Sequence, residues 1–134
     1  MVGIVVVSHS ERAAEGIAEI AAEMAGDTRI EPVGGDGNGG IGTVPDAIEA
    51  AIDAAAGSEE EEESDADGVV VLVDLGSAVM NADVAVELSD AEAVIADAPV
   101  LEGAVNAAVA ATDPSATVES VREQAEAARD IEKL

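Results

Sequence analysis

Two short runs without a single polar residue constrain the architecture of this chain more than anything else in it: Ile4-Val5-Val6-Val7 and Val69-Val70-Val71-Leu72-Val73. Neither is long enough for an ordinary helix, and neither alternates apolar with polar. Runs of this kind, rich in β-branched side chains, read as strands covered on both faces, the environment of a parallel sheet. Parallel neighbours need long crossover connections, usually helical. The segments between and after the two runs therefore decide the fold.

Those segments carry the required pattern. From Glu11 to Met24, Ala13, Ile17, Ile20 and Met24 form one apolar stripe with glutamates mostly opposite, which predicts an amphipathic helix facing inward by that stripe, with Ser10 as its N-cap. Gly26-Asp27 ends it. Residues 28–33 predict a short strand, placed at an edge because Pro32 cannot donate to a ladder. Thr43 is expected to cap a helix over about 44–56 that turns Ile48 and Ile52 inward. Residues 58–67, with five successive glutamates, read as a solvated acidic loop. A third helix should start near Gly76-Ser77 and run to Leu88, followed by a weaker strand at 93–96 and a helix over about 102–111. Asp113-Pro114 predicts an N-cap and first-turn proline for a last helix in which Val118, Val121, Ala125, Ala128 and Ile131 share a face.

Strand and helix thus alternate four times. The expected fold is α/β: a doubly wound, mainly parallel sheet of four to five strands flanked by helices, with right-handed crossovers. One domain spanning 1–134 suits the length.

Composition removes several function classes. Thirty Asp and Glu against five Lys and Arg give a formal net charge of −25, which argues against nucleic acid and anionic membrane as partners. No stretch of about 18 apolar residues is present and the start lacks a secretory pattern, so a cytoplasmic protein is expected. Without cysteine and with one histidine, a dedicated metal site is not expected. The acidic excess, single lysine and absence of aromatic residues resemble proteins of salt-saturated cytoplasm and predict salt-dependent folding.

The one histidine, His9, lies just past the first strand, where open α/β sheets build their sites. The second strong strand ends at Asp74-Leu75-Gly76-Ser77, so the topology brings His9 and Asp74 to the same sheet edge. A neutral imidazole is a competent nucleophile near pH 7, and a carboxylate on one ring nitrogen sets which nitrogen is free. Ser-His-Asp hydrolysis through Ser8, Ser10 or Ser77 is arithmetically open, but no nucleophile-elbow sequence is present. Residues 34–42 hold six of the thirteen glycines, a density that makes the two G-x-G-x-x-G matches there nearly automatic, and no phosphate-loop lysine follows. Two readings of this loop stay open: a flexible surface loop, or successive amides that cradle an anion with the helix after Thr43.

Met-Val-Gly-Ile-Val-Val-Val-Ser-His-Ser, Gly42-Thr43, the run from Val71 to Ala78, Asn81 and the run from Ala98 to Ala104 together resemble the phosphotransferase subunits of dihydroxyacetone kinases, the DhaM family, which has the mannose-type enzyme IIA fold. The resemblance implies that His9 is phosphorylated, that Asp74 is the acidic residue orienting it, and that Ser10, Thr43 and Ser77 lie around the phosphoryl group. It implies a phosphocarrier that takes phosphate, originating in phosphoenolpyruvate, from an HPr-like donor. That phosphate passes to ADP on the nucleotide-binding subunit, DhaL, which works with the dihydroxyacetone-binding DhaK. It also implies a homodimer and no tightly bound cofactor. Some members continue into fused HPr-like and enzyme-I-like domains, so a separate donor is expected. The alternatives are a mannose-type IIA component of a sugar transporter and a non-catalytic regulatory module of the same fold. Sugar-transporter members usually carry Thr-His-Gly and a Gly-Gly-Ser-Pro type turn, where this sequence has Ser8-His9-Ser10 and Gly76-Ser77-Ala78.

Overall fold

The computed structural model describes residues 1–57 and 68–134. The acidic segment 58–67 lies outside the described residues. Among the described residues, four strands, β1 (Gly3–Ser8), β2 (Ile30–Gly34), β3 (Val69–Val73) and β4 (Ala93–Ile95), alternate with helices α1 (Glu11–Ala22), α2 (Pro45–Ala56) and α3 (Val79–Leu88), and α4 (Val100–Ala111) and α5 (Val118–Glu126) follow. Every strand pairing is parallel, and the order is β2-β1-β3-β4. The two apolar runs are the neighbouring central strands, in register from Gly3 opposite Val69 to Val7 opposite Val73. β2, with Pro32, is at the edge.

Alternation along the strands sorts side chains into two cores. Ile4, Val6, Val70 and Leu72 face α1, α4 and α5. Val5, Val7, Val69 and Val71 face α2 and α3. Both faces are thereby covered, as the unbroken apolar runs require. Ile48 and Ile52 are buried under α2 as expected.

Three local expectations are corrected. α1 does not turn Ala13, Ile17, Ile20 and Met24 inward. It buries Ala14, Ala18 and Ala21, with Ile17 partly covered, while Ile20 and Met24 are more than half exposed. An alanine face lets the helix axis approach the sheet closely and leaves the longer side chains at its flank. α2 is capped not by Thr43 but at Val44, whose side chain has no hydrogen-bonding atom; Pro45 at the first helical position removes one of the orphan amides, and the Ala47 and Ile48 amides donate to Val44 O. The last helix starts four residues later than Asp113-Pro114 implies. Asp113 instead accepts from the Ser115 amide and hydroxyl, and Thr117 caps α5 in a reciprocal capping box with Ser120. Ile131 lies beyond that helix and is exposed.

The site is placed by topology. With this strand order the chain leaves β1 and β3 in opposite directions across the sheet, and the crevice between their carboxyl ends is the switch point where such folds bind ligands.

Candidate phosphoryl-transfer site

β1 ends at Ser8 and β3 at Val73, and the Asp74 amide continues the ladder by donating to Val7 O at 3.0 Å. His9 and Asp74 are therefore held side by side by backbone alone. Gly34, at the end of β2, makes room for the corner that follows: a Cβ there would collide with Ser8 O and Ser10 O. On the other side, the Gly42 amide donates to His9 O at 2.9 Å and brings the glycine loop and Thr43 against the same corner.

The Asp74 carboxylate organises the side chains. Its Oδ2 accepts from the Ser8 hydroxyl at 2.9 Å and from the His9 amide at 3.0 Å. Its Oδ1 lies 2.9 Å from His9 Nδ1. Burial pushes the Asp74 carboxyl up, but the His9 amide, the His9 ring and the Ser8 hydroxyl together outweigh it and hold the group below the ordinary aspartate value. An ionised carboxylate only accepts, so Nδ1 carries the ring proton. In the neutral imidazole Nε2 then keeps its lone pair, and the Ser77 hydroxyl, 2.9 Å away, donates to it. Ser77 sits in a 3-10 turn (Gly76–Ala78) directly after Asp74 and Leu75.

Of the five residues singled out from sequence, His9, Asp74 and Ser77 are joined by hydrogen bonds. Ser10 adjoins them and its hydroxyl accepts from the Ala13 amide as the N-cap of α1. Thr43 is reached through Gly42, and its hydroxyl oxygen accepts from Asn81 Nδ2 at 2.7 Å rather than capping α2. Side-chain exposure is 20% for both His9 and Asp74, so the ring is mostly covered, with Nδ1 against Asp74 and Nε2 against the Ser77 hydroxyl.

Two residues noticed in the sequence have roles there that sequence reasoning did not assign. Ser8 is buried beneath the pair and binds both Asp74 and the Ser10 amide. Its signal was a single hydroxyl at the end of an otherwise apolar strand. Asn81, four residues after Ser77 and so one turn along, ties α3 to Thr43. Part of the glycine loop's set of amides is already in use. The carboxylate of Asp36 accepts from the Asn38 and Gly40 amides at 2.8 and 2.9 Å, so the loop holds an anion of its own. Among the described residues, no three His, Cys, Asp or Glu side chains come together to hold a metal ion. Nor is any helix among them long and apolar enough to cross a membrane.

The chain matches the family described as PTS system fructose IIA component, EIIA-man, over residues 3–122. It is 40% identical over 124 residues to the phosphotransferase subunit DhaM of the PTS-dependent dihydroxyacetone kinase of Lactococcus lactis, covering 92% of this chain and 93% of that one. It is likewise 40% identical over 102 residues to the phosphoryl donor subunit DhaM of PEP-dependent dihydroxyacetone kinase 1 of Listeria innocua, covering 76% and 75%. The DhaM of Escherichia coli K12 is longer: 36% identity over 119 residues takes up 24% of that protein. Among solved structures, the crystal structure of EF1359, a protein of unknown function, superposes with a TM-score of 0.74 at 28% identity, over 93% of this chain and 92% of the other. Fold, site and relatives agree, and the chain belongs to the EIIA-man family in its DhaM form.

Proposed function

We propose that this chain is the phosphocarrier subunit of a PEP-dependent dihydroxyacetone kinase, a phosphotransferase that works through phosphohistidine at His9. The observation that carries the assignment to His9 is the pair of contacts on its ring: Asp74 holds Nδ1, and Nε2 is left with a hydroxyl donor and a lone pair. In the loading step the Nε2 lone pair attacks the phosphorus of a phosphohistidine on an HPr-like donor. The new P–Nε2 bond forms as the donor's P–N bond breaks, and that electron pair returns to the donor ring. His9 gains cationic character as it bonds phosphorus, and the Asp74 carboxylate on Nδ1–H stabilises it. Ser77 exchanges its bond to Nε2 for one to a phosphoryl oxygen, with the hydroxyls of Ser10 and Thr43 nearby. Asn81 supports Thr43 by donating to its oxygen, which leaves the hydroxyl proton to point elsewhere.

In the unloading step an oxygen of the ADP β-phosphate attacks the same phosphorus and the P–Nε2 pair returns to the imidazole. Little covalent chemistry is asked of the protein; alignment and hydrogen-bond donors suffice. The nucleotide sits on the acceptor, a DhaL-type subunit acting with DhaK, so no tightly bound cofactor belongs to this chain in the reading. Support for these partners comes from the DhaM relatives. A homodimer, a single domain over 1–134, a cytoplasmic location and a salt-adapted surface complete it, the last supported by the net charge of −25.

Incubation with phosphoenolpyruvate, enzyme I and HPr should give an acid-labile, alkali-stable phosphoprotein, and His9→Ala should not be labelled. Equal label on His9→Ala, or none on the wild type, removes the proposal. Passing the label to DhaL-bound ADP but not to a sugar-specific IIB protein separates it from the transporter reading; a phosphoprotein with no acceptor at all would favour the regulatory one.

A further inference from the structure

We propose that Ser8 is a positioning residue for phosphoryl transfer at His9, its buried hydroxyl locking the Asp74 carboxylate so that one imidazole nitrogen is always the free one. The inference rests on the reading of His9 as the carrier. Among the described residues with buried side chains, Ser8, 2% exposed, is the polar one in an otherwise apolar set. A hydroxyl moved out of water is costly unless it is bonded. Here it is bonded on both sides: it donates to Asp74 Oδ2 at 2.9 Å and accepts from the Ser10 amide at 3.1 Å.

The direction of that bonding is forced. The Ser10 amide can only donate and the ionised Asp74 can only accept, so the hydroxyl proton points at Oδ2. The terminal torsion of an aspartate is broad and roughly two-fold, which gives an unrestrained carboxylate freedom to turn. Two donors, the Ser8 hydroxyl and the His9 amide, fix Oδ2 from separate points, and rotation breaks both bonds at once. Oδ1 is thereby kept on Nδ1. The bond to the Ser10 amide adds a further constraint, because Ser10 is the N-cap of α1 and the residue after His9. Ser8 thus joins strand end, helix start and carboxylate. A valine, which the rest of β1 uses repeatedly, would fill the position and make none of these bonds.

The test compares Ser8→Ala, Ser8→Cys and Ser8→Thr in the full chain by two readouts. One is the ¹⁵N spectrum of the unphosphorylated His9 ring, which reports the tautomer without any transfer partner. The other is the rate of phosphorylation by phospho-HPr over a range of donor concentrations. Ser8→Ala and Ser8→Cys, the latter keeping volume with a weak donor, should show a tautomer mixture and a saturating rate about tenfold lower, the scale seen when an outer hydrogen-bond partner is lost. The donor concentration at half-saturation should stay within about twofold. Ser8→Thr should restore both the single tautomer and the rate. A single Nδ1–H tautomer in Ser8→Ala with a rate within about twofold of wild type overturns the proposal. So does a lowered melting temperature with both readouts unchanged, since Ser8 would then be structural only. Wild type that phospho-HPr does not label defeats the carrier reading instead, while the spectra still decide what Ser8 does to the ring.

Discussion

Replacing Asp74 by asparagine keeps the side chain's shape and removes its charge, and the geometry says which bond fails. The carboxylate accepts three hydrogen bonds, two at Oδ2 from Ser8 and the His9 amide and one at Oδ1 from His9 Nδ1. An amide has one oxygen. Turned toward Ser8 and the His9 amide, it keeps two bonds and presents its NH₂ to Nδ1. Turned the other way, it keeps one bond and sets its NH₂ against the His9 N–H, donor against donor. The first arrangement wins. Nδ1 must then accept, the ring proton moves to Nε2, and the lone pair that attacks phosphorus is gone. Relative to wild type, the working tautomer in the variant lacks its hydrogen bond to a charged acceptor, a loss of about 1.5–3 kcal/mol. At about 1.4 kcal/mol per factor of ten, the transfer rate should fall roughly 10- to 150-fold. Quench-flow with phospho-HPr measures it, and because Asp74 is mostly covered the loss should be in the saturating rate rather than in donor affinity. Wild-type rates, or ring ¹⁵N shifts that still report a proton on Nδ1, would refute this reasoning.

The same carboxylate makes a prediction about acid stability. Its value is lower in the folded protein than the ordinary 3.8, so its contribution is fully present above that value and is lost as pH falls through the folded one. The difference in urea midpoint between wild type and Asp74→Asn should therefore narrow below about pH 4; a gap of equal size at pH 3 and pH 7 contradicts it. Ser77→Ala removes a neutral hydrogen bond to Nε2 at an exposed position and should slow phosphorylation about two- to tenfold with no measurable loss of stability. An unchanged rate would leave Ser77 without a part in transfer. Thirty acidic against five basic side chains repel one another least when the screening length drops to about 3 Å near 1 M salt. The melting temperature should accordingly rise from dilute buffer to molar KCl, and a flat response rules out salt adaptation.

The central strands were legible because one physical signal, an unbroken β-branched run, has one common solution. β1 and β3 fall where the runs are, and the helices between them follow from the need to cross over. The meeting of His9 and Asp74 was legible for the same reason, since each follows the end of one of these strands. Details that depend on competing hydrogen bonds were not. Ser10 caps α1 as its residue type suggests, yet Thr43, equally well placed before α2, gives its oxygen to Asn81 from another helix. Asp113 and Thr117 are both good caps four residues apart, and only the packing of Val118 and Val121 into the core selects the second. The α1 stripe failed for a related reason: its period was right, but the depth of burial depended on how near an alanine face could come to the sheet.

Part of the glycine loop already holds an anion of its own, and this bears on how the site works. The Asn38 and Gly40 amides are taken by Asp36, whose carboxyl they hold below its ordinary value. A phosphoryl group on His9 is left, in the proposed mechanism, to the hydroxyls of Ser10, Thr43 and Ser77. Hydroxyls are neutral donors and bring no fixed positive charge to the phosphoryl group. For an enzyme that kept its phosphate this would be a defect. A carrier has the opposite requirement, since every contact that stabilises the loaded state without stabilising the transition state deepens the well from which the group must leave. The covalent P–N bond already retains the phosphoryl group between partners. What the protein must add is alignment, and that comes from Asp74 and Ser8 on the far side of the ring, which need not be rearranged when the phosphoryl group arrives or departs.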